Sequence, residues 1–142
     1  MENEQGGDSL VYFHSDASLP PPGHVEYEIH LSADMVELRY WPNYPSFGCP
    51  EFNISYPLTA EEAAGRIAAA FHMSCFVSQV WEDNYGASSD SVTGIYRDQA
   101  FIIPPGITGG PVLALFAVLK ALIPEAGWQQ AAEHRKAYLE SL

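Results

Sequence analysis

Basic residues are scarce in this chain. Six Lys and Arg stand against 18 Asp and Glu, a net charge of −12 at pH 7, and a surface of that sign repels phosphate backbones and anionic lipid head groups. Direct nucleic-acid binding and membrane association are therefore not expected. Cysteine is scarcer still. Cys49 and Cys75 form no CxxC pair, which excludes a disulfide framework of several bridges and suits a reducing, cytoplasmic compartment. Long apolar runs are missing too: the richest, Val112 to Ile123, contains Lys120 and lies between Pro111 and Pro124. A bilayer span takes about 20 residues, so this segment is expected to be a core helix. The opening MENEQGGDSL is acidic and polar, whereas a secretory signal starts basic and turns apolar. No GxSxG elbow, HExxH helix or catalytic-cysteine signature occurs, and no catalytic residues are assigned.

What is present suits one domain. The chain has 142 residues, 47% of them apolar, enough to bury a single core without metal or cross-links. Residues 1–9 are expected as a flexible acidic tail and 10–142 as one α+β domain. The charge is uneven: residues 1–62 hold 11 acids against Arg39 alone, whereas 63–142 hold seven acids and five bases. The amino-terminal half carries the field.

Leu10 to Phe13 is a short strand candidate. Ser18 to Gly23, with three prolines, reads as a stiff polyproline-like crossing. From Val25 the sequence alternates, with Val25, Tyr27, Ile29 and Leu31 facing in and Glu26, Glu28 and His30 facing out. Val36, Leu38 and Tyr40 continue the pattern opposite Glu37, Arg39 and Trp41. Two hairpin registers fit. A four-residue loop sets Glu28 against Arg39 and His30 against Glu37, and opposite charges across a pair are favourable, so that register is expected. Trp41 to Pro50, with three prolines and a glycine, excludes helix and central strand. Phe52, Ile54 and Tyr56 form a third strand.

Thr59 is an N-cap with Glu62 as its capping-box partner and Leu58 stapling to Ala63. The helix is predicted to run to about Trp81, burying Ala63, Ile67, Ala70, Phe71, Val77, Val80 and Trp81. Glu82 to Ser91 reads as a polar loop, followed by strand candidates Gly94 to Tyr96 and Ala100 to Ile103. Pro111 suits the first turn of the next helix, and Ile123-Pro124 ends it. A last helix is expected to place Trp128, Ala132, Arg135, Leu139 and Leu142 along one side. The fold class is thus α+β: an antiparallel meander of three to five strands packed against a long central helix and a C-terminal helical pair.

Residues with chemical potential are few. His72 and Cys75 lie three apart on the long helix, and His24 and His30 six apart near one strand, but neither pair has the further ligands a zinc site needs. No metal or cofactor is expected. Cys49 has an anion, Glu51, as its neighbour, which disfavours a thiolate. Gly106 to Gly110 lacks a nearby Lys or Arg and loses one amide to Pro111, so it reads as a plain loop. Glu26, Glu28 and His30 share a strand face, yet that face is expected to meet water, where paired carboxylates do little acid–base work. Tyr40, Trp41, Tyr44 and Phe47, concentrated in and beside a Pro-rich loop, have the makeup of a binding hot spot.

In general composition the chain is similar to small acidic immunity proteins and antitoxins that block basic toxins. The expectation is a binding protein that neutralises a basic partner, with Glu26, Glu28, Glu37 and Glu51 supplying the field and Trp41 and Tyr44 the anchors. Two alternatives stand beside it. One is an enzyme or small-ligand domain with a pocket between sheet and helices, the other a structural subunit of a larger assembly.

Overall fold

Six strands, the hairpin at their centre built on alternation of apolar and polar residues, are joined in the computed structural model into one antiparallel sheet. It describes residues 7–15, 24–80, 89–107 and 110–142. The strands are β1 (Ser9–Ser15), β2 (Glu26–Ser32), β3 (Met35–Trp41), β4 (Phe52–Pro57), β5 (Ser89–Tyr96) and β6 (Gln99–Ile103). Their order across the sheet is β4-β3-β2-β1-β5-β6. The β2-β3-β4 meander is as expected from the sequence. The strand count exceeds the expected three to five because β1 inserts between β2 and β5, and because β5 and β6 are separate strands of a tight hairpin. β5 also starts at Ser89, inside the stretch read as a loop. The Ser18–Gly23 crossing, Val80 as a side chain, and Trp81 lie outside the described residues.

The central place of β1 has a cause in its composition. Leu10 and Tyr12 point to one side and Val11 and Phe13 to the other, so the strand is apolar on both faces and gains most from neighbours on both edges. The β2–β3 register sets Glu28 opposite Arg39 and His30 opposite Glu37, as charge pairing predicts. The loop is shorter than expected: Ser32 and Met35 also pair, leaving Ala33 and Asp34 as the turn, with Ala33 at φ 35°.

Three helices follow: α1 (Ala60–Val80), α2 (Gly110–Lys120) and α3 (Glu125–Glu140). The Thr59 cap is present, with the Glu62 amide donating to Thr59 Oγ1 at 3.0 Å. All three helices cover one face of the sheet. Phe71 of α1 packs edge-on to Phe101, Phe116 of α2 stacks on Tyr12, and Trp128 of α3 meets Tyr27 edge-on. Beneath them lie the buried Leu10, Tyr12, Ile29, Leu31, Val36, Leu38, Val92 and Ile103. The buried side of α3 is rotated from expectation. Gly127 and Ala131 are its buried residues, Trp128 is half-buried, and Ala132 and Leu142 face out. Tyr56 decides this, since its hydroxyl presses so close to Gly127 that a Cβ there would sit 2.7 Å away.

Candidate functional site

The sheet face opposite the helices is the first candidate. The registers place Glu26, Glu28, His30, Glu37, Arg39 and Trp41 on it, next to Val11 and Phe13 of β1 and Ile95 and Ile102 of β5 and β6. It therefore divides into a charged half over β2 and β3 and an apolar half over β1, β5 and β6.

The charged half is less solvated than alternation suggests. Glu26 retains only 15% of its side-chain exposure, while Glu28 and His30 are half-buried. Each acid also has its own cationic or protonatable neighbour: His24 Nε2 lies 2.8 Å from Glu26 Oε2, His30 Nε2 2.6 Å from Glu28 Oε1, and Arg39 Nε 3.3 Å from Glu37 Oε1. Cross-strand neighbours on a closed-packed sheet cost exposure, and i, i+2 spacing on one face lets these side chains meet.

The aromatic loop folds over one end of this face. Trp41 pairs with Glu26 in the register. Tyr44 lies flat on the imidazole of His24, ring centres 3.6 Å apart, and His24 is fully buried. Buried Asn43 holds the loop: its side-chain oxygen accepts from the Tyr44 amide at 2.8 Å and its side-chain amide donates to the Tyr138 hydroxyl at 3.1 Å. Residues 45–50 then turn through a short 3-10 segment, Pro45–Phe47, closed by Gly48 at φ 76°. Of the sequence-derived site, Glu26, Glu28, Glu37 and Trp41 thus share one face, and Tyr44 joins through His24. Glu51, exposed ahead of β4, stands outside this set of bonds. The Cys49 thiol donates to the carbonyls of Asn43 and Tyr44, and burial, with the charge of Glu26, pushes its pKa up. That is a poor setting for a nucleophile.

A second cluster, under the helices, was not legible in the sequence. Tyr12 donates to Asp90 Oδ2, and His14 Nδ1 lies 2.6 Å from Asp90 Oδ1. His14 stacks on Tyr27, whose far edge meets Trp128. Burial pushes the Asp90 carboxyl up, but the hydrogen bonds from His14 and Tyr12 and the charges of His14 and Lys120 outweigh it and hold the group below its ordinary value. Burial above all, then the bond to Asp90, drives the Tyr12 phenol well above its own. The result is a fixed carboxylate that pins a phenol and an imidazole. The only sequence signal is the cross-strand pairing of His14 with Asp90, which needs the β1–β5 register to be known.

Elsewhere, a cavity of about 280 Å³ opens beside the β2–β3 turn, lined by Asp34, Met35, Ser55, Tyr56 and Pro57, at a sheet end rather than between sheet and helices. His72 is exposed on α1, and among the described residues no three His, Cys, Asp or Glu side chains converge into a metal-holding group. No single helix among the described residues is long and apolar enough to cross a membrane. No family profile matches the chain, and no curated protein matches it.

Proposed function

We propose that the chain is a protein-binding module that captures a basic partner through the sheet face its helices leave open, in the manner of an inhibitor. The observation that carries this reading is the grouping of Glu26, Glu28, Glu37 and Trp41 on that face beside the Tyr44 loop. A charge of −12 steers a basic partner from a distance, and an aromatic at the rim of a flat face slows its departure. The pairing of each glutamate with His24, His30 or Arg39 adds geometry to charge, since a partner's cations would compete for carboxylates already held in place.

The test starts from the tagged protein in its native cell. A basic protein should co-purify with wild type, and its association rate should fall and lose salt dependence when Glu26, Glu28 and Glu37 become Gln. Trp41→Ala should instead raise the dissociation rate by about tenfold. Binding indifferent to both sets of changes sinks the proposal.

A further inference from the structure

The two edges of the sheet differ in how they are protected. β4 ends on Pro57, is preceded by Pro50, and is overlaid by α3 through Phe52 and His134, the latter bonded to the Pro50 carbonyl at 2.9 Å. These are the usual devices that keep an edge strand from pairing with another chain. β6 is covered on one face by α1, through Phe71 on Phe101, and its only flanking prolines, Pro104 and Pro105, come after its end. It closes the sheet order with no described strand on its outer side, and its sequence QAFII holds neither proline nor charge. Exposed apolar side chains gather beside it, with Ile102 55% and Ile95 40% exposed on the open face.

The backbone geometry of this edge follows from its hairpin. Arg97 and Asp98 form a two-residue turn with φ 51° and 66°, and Tyr96 pairs with Gln99. In a hairpin of this kind the pair flanking the turn is hydrogen-bonded and the bonding alternates thereafter. Gln99, Phe101 and Ile103 therefore aim their amides and carbonyls at β5. Ala100 and Ile102 aim theirs outward.

We infer that β6 pairs antiparallel with β6 of a second copy, about a two-fold axis at Phe101, forming one continuous sheet across two chains. That register sets Ala100 opposite Ile102 of the other copy, so each pair exchanges both of its outward bonds and a small side chain meets a large one. A shift of the axis to Ile102 would instead set Ala100 against Pro104, which has no N–H. Two-fold symmetry makes the contact self-limiting.

Charge selects a second copy as the occupant. Two chains of −12 repel wherever their acids meet, but residues 99–119 contain no Asp, Glu, Lys, Arg or His. The β6 edge is thus one part of the molecule where like-charged copies can touch. The glutamates of β2 lie three strands from β6, about 15 Å at the ordinary strand spacing, and so, with the step across the seam, roughly 34 Å from their counterparts. Screening over about 8 Å at physiological salt leaves little repulsion at that distance. The pairing does not use the charged half of the open face and holds whatever that half binds.

The test is the solution mass of the purified protein by sedimentation velocity across the micromolar range. Wild type should move from 15.6 kDa toward twice that mass with rising concentration. Ala100→Pro removes an outward amide that β5 does not use, and Ile102→Lys sets two cations at the seam. Each should raise the dissociation constant at least about tenfold, while Ser55→Lys on β4 leaves it unchanged. Hydrogen exchange on wild type supplies a measurement free of variants: the Ala100 and Ile102 amides should gain protection as concentration rises. A wild-type monomer throughout overturns the inference, as does a dimer that ignores both β6 changes. Protection of these amides only after a basic protein is added overturns it too, assigning the edge to a foreign strand.

Discussion

Asp90 is where a single substitution should cost most for its size. Its carboxylate accepts from the fully buried Tyr12 hydroxyl and from His14 Nδ1, with His14 17% and Asp90 16% exposed. Hydrogen bonds to a charged group contribute about 1.5–3 kcal/mol each, and a buried donor left without a partner costs about 1–3 kcal/mol. Tyr12 cannot turn to solvent and keeps only its neighbour Tyr27, whereas His14 recovers part of its loss from water. Asp90→Ala should therefore destabilise the fold by about 3 kcal/mol at neutral pH. Tyr12→Phe keeps the ring stacked on Phe116 and removes only the hydroxyl and its bond to the carboxylate, so it should cost about 1.5–2 kcal/mol. The double variant should cost less than the sum, because both changes break one bond.

The pH dependence carries a definite sign. The folded Asp90 carboxyl lies below its ordinary value of about 4, so its contribution is fully present above that value and is lost as pH falls through the lower folded one. The gap between wild type and Asp90→Ala should narrow progressively as pH falls below about 4. Urea melts at several pH values, followed by tryptophan fluorescence, read this directly. Coincident melts at neutral pH, or a gap that does not close in acid, would refute the reasoning.

Thr59→Ala should lower stability by about 1 kcal/mol, since Thr59 Oγ1 holds the otherwise unbonded Glu62 amide; identical denaturant midpoints would show the cap to be irrelevant. Gly94→Ala should destabilise by about 1–3 kcal/mol or more, because the new Cβ would sit 2.5 Å from the Phe101 ring and 2.6 Å from the Ser9 carbonyl oxygen; a variant as stable as wild type would mean that β1 and β6 can both give way.

Local chemistry settled much of this protein in advance. Alternation at Val25–Leu31 and Val36–Tyr40 located the hairpin, opposite charges on Glu28 and Arg39 chose its register, and Thr59 with Glu62 marked the start of α1. These signals are legible because strand period, cross-strand charge and capping act between residues near in sequence. What joined distant segments was not. The placing of β1 between β2 and β5, and with it the meeting of Tyr12 and His14 with Asp90 some 76–78 residues away, depends on a pairing that no local pattern specifies. The half-burial of Glu26 by His24 and the Tyr44 loop has the same origin, since exposure is set by what packs on a residue as much as by its polarity. Only the assembled sheet decided which edge was shielded and which face the helices left open.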